Sequence, residues 1–163
     1  MKRFFITVFF CVFVFTCFAE AKLTMSEDVE AARKQSKKQN KFLVLYFTES
    51  NKSQGGKFFE EEILNTEKFA GYAKENLVLV RIEFSDKNTP VNKKYSSAHK
   101  KLAKKFHIKE FPIMVFVTPD ESTDIIRNDL GKSESGCPKM TVDSFIGFID
   151  FLKKQFMEEE DPW

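Results

Sequence analysis

The sequence predicts an α/β fold: a central mixed β-sheet flanked by helices on both faces. Three observations carry this. Phe42-Leu43-Val44-Leu45-Tyr46-Phe47 is a continuous apolar run without alternation, as in a strand covered on both faces, and Leu77–Phe84 and Ile113–Val117 are further strand candidates. The stretches between these runs repeat apolar residues at helical spacing. The third run closes on the turn Thr118-Pro119-Asp120-Glu121, after which Asp124–Arg127 can return as an antiparallel partner.

In chain order, Met1-Lys2-Arg3, the apolar run from Phe4 to Phe18 and Ala19-Glu20-Ala21 make a secretory signal peptide over residues 1–21, cut after Ala21. The run falls short of the roughly 20 apolar residues that a membrane span needs. Cys17 makes a poor lipoprotein site, because Phe15-Thr16 stands where small residues are expected. From Ser26 to Gln39, Val29, Ala32 and Ser36 share one helical face, with acids crowding the start and lysines the end. Phe42–Phe47 is then the central strand. A helix resumes around Lys57 and carries Phe59 and Ile63, then Phe69 and Ala73 after an interruption at Asn65-Thr66. Leu77–Phe84 follows as a strand, and a right-handed strand, helix, strand crossover sets it parallel beside the first.

Residues 85–92 are expected to form a loop. Tyr95, Ala98, Leu102, Ala103 and Phe106 recur at helical spacing in a lysine-rich stretch ending near His107. A loop through Cys137 leads to a final helix, where Val142, Phe145, Ile146, Ile149, Leu152 and Phe156 form an apolar stripe. The division is therefore a signal peptide (1–21), one domain (22–157) and an acidic C-terminal tail (158–163) expected to fray.

With 163 residues and a 42% apolar composition, the chain can build one hydrophobic core and is not disordered throughout. Its net charge is +2, with acids and bases interleaved, so no large field of either sign is expected to recruit nucleic acid or an acidic membrane surface. Cys11 and Cys17 leave with the signal peptide, so Cys137 alone stays and no internal disulfide can form. His99 and His107 have no cysteine or acidic partner at ligand spacing, so no metal site is expected, and His107 is expected to cap its helix. The lysines at 93, 94, 100, 101, 104 and 105 suit the solvated face of an amphipathic helix, and a docking surface for an acidic partner is the weaker reading.

Between the central strand and the next helix lies Phe47-Thr48-Glu49-Ser50-Asn51-Lys52-Ser53-Gln54-Gly55-Gly56-Lys57, and Phe111-Pro112 precedes the strand Ile113–Val117. From about Ser26 to Phe156 this order resembles the thioredoxin fold. The pattern is most similar to exported thioredoxin-like proteins, including bacterial periplasmic disulfide reductases and isomerases, whose motif runs Phe-Thr-Gly-Ser-Asp-Trp-Cys-x-x-Cys-Lys. Phe47, Thr48, Ser50 and Lys57 agree with that motif; Glu49, Asn51, Lys52, Ser53 and Gly56 depart from it, and Ser53 and Gly56 stand where the two cysteines would be. The resemblance also implies a cis bond before Pro112, close in space to the motif, and a periplasmic location. The last residues carry no Lys-Asp-Glu-Leu type retrieval signal, which favours the periplasm over an endoplasmic-reticulum relative.

Disulfide exchange needs a thiolate, which a serine hydroxyl does not replace and a glycine lacks altogether. Dithiol chemistry at this site is therefore unsupported, and no cofactor is expected. The backbone N–H groups around Gly55 and Gly56 could receive a carboxylate or phosphate, or form a plain solvated turn. The glycines leave two possible helix starts: near Lys57, or at a Ser53 cap. What the resemblance leaves is a shallow groove between Ser53, Gln54, Gly55 and Gly56 on one side and Phe111 and Pro112 on the other, which would hold the backbone of an extended polypeptide or client protein. Phe111 could serve that groove or turn into the core. No nucleic acid and no stable membrane span after signal cleavage are expected, and the oligomeric state is open. The alternative is an atypical thiol-disulfide oxidoreductase or isomerase acting through the single Cys137, by a mixed disulfide with a client.

Overall fold

The structure, a computed structural model, describes residues 23–85, 89–130 and 140–157. The signal peptide, Cys11, Cys17, the loop containing Cys137 and the acidic tail lie outside these residues. The elements run α1 (Val29–Gln39), β1 (Phe42–Glu49), α2 (Gln54–Phe59), a π-helical turn (Glu60–Leu64), α3 (Glu67–Asn76), β2 (Leu77–Phe84), α4 (Ser96–Lys105), β3 (Ile113–Val117), β4 (Asp124–Arg127) and α5 (Val142–Phe156).

The four strands lie in the order β2-β1-β3-β4. β1 pairs in parallel with β2, Phe42 beside Leu77 and Glu49 beside Phe84, and antiparallel with β3, Phe47 beside Ile113. β3 and β4 form the antiparallel hairpin that the turn residues predict. Successive side chains of a strand point to opposite faces, so β1 feeds two cores. Phe42, Val44 and Tyr46 pack with residues of α2, the π turn, α3 and α5; Leu43, Leu45 and Phe47 pack with residues of α1 and α4. Aromatic edges lock both layers: Phe59 meets Phe145 at 5.3 Å and 89°, and Phe47 meets Phe106 at 6.4 Å and 69°. Each such buried side chain contributes about 1.5–3 kcal/mol through removal of apolar surface from water.

The first helix starts three residues later than its apolar periodicity suggests. Asp28 caps it, accepting the Ala31 N–H at 3.0 Å. Ser26 instead lies along β2, donating its N–H to Leu79 O (2.9 Å) and accepting the Arg81 N–H (2.8 Å). Its backbone groups are thus claimed by a sheet edge, which excludes them from the helix.

The helix after β1 is also longer and less regular than expected. Of the two possible starts, the chain uses the Ser53 cap, so both glycines lie inside α2. The helix then widens into the π turn, where the Asn65 N–H reaches Glu60 O at 2.8 Å and both Ile63 and Leu64 are buried. Thr66 restarts helical winding as the cap of α3, in line with the interruption seen in the sequence.

His107 does terminate α4, but through its backbone rather than its imidazole. It adopts φ 51°, its N–H donates to Lys104 O (3.3 Å) and the Ile108 N–H donates to Ala103 O (2.9 Å). This left-handed closure satisfies the last carbonyls without a side chain. Thr141 and Ser144 cap α5 reciprocally, and Phe145, Ile149 and Leu152 of its apolar stripe are buried. Among the described residues no helix is long and apolar enough to cross a membrane.

Candidate functional site

The end of the sheet where β1 and β2 finish and β3 begins gathers most of the residues singled out in the sequence. β1 ends at Glu49, and Ser50 ties the departing chain to β2: its N–H donates to Phe84 O (2.8 Å) and its hydroxyl to Glu83 Oε1 (3.0 Å). Asn51 and Lys52 then lead into the cap. Ser53 Oγ accepts the Gly56 N–H at 3.1 Å, and Ser53 O accepts the Lys57 N–H at 3.0 Å. The serine hydroxyl is thus occupied as a helix cap, a role that stabilises by about 1 kcal/mol.

Gly56 is buried and faces the proline loop. A Cβ placed on it would meet Ser53 Oγ at 3.4 Å, Lys52 Cβ at 3.5 Å and Pro112 Cδ at 3.7 Å, all ordinary van der Waals distances. The Phe111–Pro112 peptide bond is cis, as the resemblance implies. Position 56 and Pro112 are therefore direct neighbours although 56 residues separate them, whereas Gln54 is exposed and Gly55 only half-buried. Phe111 packs against the core without being enclosed by it: its ring stacks on the buried Phe84 at 5.4 Å and 27°, and the residue is half-buried.

Residues 29–127 match the family description of a thioredoxin-like domain. The chain belongs to the thioredoxin-like family. Among solved structures it is similar to a DsbH oxidoreductase, at 20% identity over 86% of this chain and 89% of that one, with a TM-score of 0.62. A thioredoxin from Thermus thermophilus matches at 12% identity over 80% and 87% of the two chains, with a TM-score of 0.58. A disulphide isomerase from Xylella fastidiosa Temecula1 matches at 17% identity over 77% and 88%, with a TM-score of 0.50. At these identities the likeness shows the fold. No curated protein matches the chain.

In this thioredoxin-like domain, Ser53 and Gly56 stand on the same side of the first turn of α2, with Pro112 beside Gly56, and neither carries sulfur. Among the described residues there is no cysteine, and no three His, Cys, Asp or Glu side chains gather as for a metal ion. His99 is buried and donates from Nε2 to Glu27 O at 3.0 Å, which ties α4 to the segment before α1. The site can offer backbone, a cap hydroxyl already in use, and the exposed part of the Phe111 ring, whereas Pro112 is buried.

Sequence reasoning missed a charged network directly behind this turn. Glu60 is its hub. Its Oε1 accepts from the Tyr46 hydroxyl (3.1 Å) and from Arg81 Nη2 (3.2 Å), and its Oε2 lies 3.4 Å from Lys52 Nζ. Arg81 also donates through Nε to Glu83 Oε2 (3.2 Å), and Glu83 Oε1 in turn receives Ser50. Burial pushes the Tyr46 phenol well above its usual range, and the Glu60 carboxylate adds to this, so Tyr46 stays a neutral donor. The network spans β1, β2, the turn and the π segment, and so ties the turn to the sheet. Its signal in the sequence was Arg81 and Glu83 at alternate positions of an otherwise apolar strand, which puts both on one face.

Proposed function

We propose that the chain is an exported thioredoxin-fold protein without dithiol redox activity, and that it holds extended polypeptide in the groove between the Ser53–Gly56 turn and Phe111-Pro112. The observation that supports this reading is the approach of Gly56 to Pro112. The place of a Cβ at residue 56 is 3.7 Å from the proline ring, so the two walls of a thioredoxin-type groove stand together while the sulfur nucleophile is missing. A serine hydroxyl engaged in capping supplies neither a nucleophile for disulfide exchange nor a resolving partner. Recognition is the remaining use of that end of the sheet. The hydrophobic leader over residues 1–21 supports export, and the resemblance to periplasmic relatives supports a periplasmic destination.

The test is a pair of assays on the purified protein. A dithiol reductase assay, with Cys137→Ala as control, is expected to show no turnover in either form; turnover abolished by that substitution would establish the alternative enzyme acting through Cys137. Binding of a reduced, carboxymethylated unfolded polypeptide is expected in calorimetry. Gly56→Phe, which fills the space beside Pro112, is expected to weaken it by about tenfold, equivalent to about 1.4 kcal/mol. Equal affinity in the variant would remove the groove from the binding surface.

A further inference from the structure

Whole-chain charge is nearly balanced, but the fold sorts it by face. α1 and α4 pack on the same side of the sheet, around Leu43, Leu45 and Phe47. Between them they carry eight basic residues (Arg33, Lys34, Lys37, Lys38, Lys100, Lys101, Lys104 and Lys105) and one acid, Glu30. The helical segments on the opposite side, α2, the π turn, α3 and α5, carry five basic and seven acidic residues. The layers therefore differ in sign.

Within α4 the cations share one face. His99 and Leu102 are buried, and at about 100° per residue the four lysines fall in an outward arc of roughly 140° on the other side of the helix. Lys100 and Lys104, and Lys101 and Lys105, are spaced i, i+4, where like charges repel. Only Lys105 is relieved, by Asp124 at 2.9 Å; among the described residues Lys100, Lys101 and Lys104 make no ion pair. On α1, Arg33 is paired to Glu121 at 3.3 Å, and on the opposite layer Lys68 is paired to Asp143.

We propose that the outward face of α1 and α4 docks on an anionic lipid membrane surface. Its cations spread over two neighbouring helices rather than converging on a pocket, so their complement is an extended array of negative charges rather than one anionic group. Seven of the eight are lysines, flexible point charges suited to non-specific attraction rather than to the bidentate recognition that arginine provides. The apolar sides of both helices are consumed by the core, so contact is electrostatic and peripheral, without insertion. The hydrophobic leader from Phe4 to Phe18 brings the chain to a membrane during export, which makes anionic lipid the polyanion it meets.

The experiment is co-sedimentation of the chain from Lys22 onward, which keeps the whole described fold and removes the leader, with vesicles of phosphatidylglycerol and phosphatidylcholine or of phosphatidylcholine alone. Binding is expected to the anionic vesicles only, and to be lost at about 0.5 M salt, where screening is effective within a few ångströms. Lys100→Glu, Lys101→Glu and Lys104→Glu together are expected to weaken it by about tenfold or more. Lys74→Glu, on the opposite layer, is expected to leave it unchanged. If the triple variant does not fold, as judged by circular dichroism, Lys104→Gln alone is expected to give a smaller loss in the same direction. Equal binding to both vesicle types, no binding at low salt, insensitivity to Lys104→Gln, or tighter binding to duplex DNA or to polyglutamate than to vesicles would each overturn the proposal.

Discussion

Gly56 turns its bare Cα toward Pro112, so that a Cβ there would sit 3.7 Å from the proline Cδ and 3.4 Å from Ser53 Oγ. The space beside the proline is open enough for a small side chain, and the position lies inside α2. Gly56→Ala is therefore expected to raise stability by about 0.5–1 kcal/mol, through lower unfolded-state entropy and better helix propensity. Thermal or urea unfolding measures it; destabilisation would mean that the turn cannot spare even a methyl group's room.

The same geometry predicts that dithiol chemistry can be built into this turn. The double substitution Ser53→Cys, Gly56→Cys places two thiols one helical turn apart at the start of α2 and beside Pro112, where a helix N-terminus favours thiolate. The double variant is expected to gain dithiol reductase turnover that neither single variant shows. Inactivity of a correctly folded double variant would mean that the scaffold lacks more than sulfur.

Glu60 joins Tyr46, Lys52 and Arg81, and its side chain is only 14% exposed. Removing the carboxylate in Glu60→Ala strands a buried tyrosine hydroxyl and leaves a largely shielded guanidinium with Glu83 alone. A loss of about 1–3 kcal/mol in urea unfolding is expected. Glu60→Gln, which keeps an acceptor for Tyr46, is expected to lose less. Equal losses would assign the effect to charge alone.

Asp120, in the turn between β3 and β4, is held at about 2 against an ordinary 3.8, first because it accepts the Thr118 hydroxyl at 2.6 Å, then through Ser122. A carboxylate whose folded pKa is depressed contributes stability that is present above the unfolded pKa and lost as pH falls through the folded one. The turn is therefore expected to weaken between about pH 4 and pH 2. Asp120→Asn should flatten that part of the stability profile, and the carboxyl resonance of Asp120 should titrate at about 2. A midpoint near 3.8 would show that the Thr118 bond does not hold in solution.

His99 joins α4 to the chain before α1 through the Glu27 carbonyl, with 1% of its surface exposed. His99→Ala removes a buried ring and orphans that carbonyl, and a loss of about 2–4 kcal/mol is expected. Hydrogen exchange at Ser26 and Arg81, whose N–H groups bond across the same strap, should rise with it. Unchanged protection there would confine the role of His99 to packing.

The strands were legible almost to the residue. Leu77–Phe84, Ile113–Val117 and Asp124–Arg127 appear where the apolar runs and the turn residues put them, because burial on a pleated surface imposes a pattern that neighbouring residues carry by themselves. Helix starts were less legible. Ser26 looked like helix but was claimed by β2, a partner more than 50 positions away, and the π turn had no local marker. The site divides in the same way. The motif turn and Pro112 could be found by their residue types, but the stacking of Phe111 on Phe84 depended on a residue at the end of a different strand.

The sequence by itself determined the strands, the helices, the order that makes a thioredoxin-like domain, and the absence of sulfur at positions 53 and 56. Only the tertiary structure decided that Glu60 would meet Arg81, that Gly56 would meet Pro112, and that helices carrying eight bases and one acid, α1 and α4, would share one side of the sheet. The reason is physical: periodic burial is a property of neighbouring residues, whereas these meetings follow from sheet register and layer assignment, which join residues that no local pattern relates.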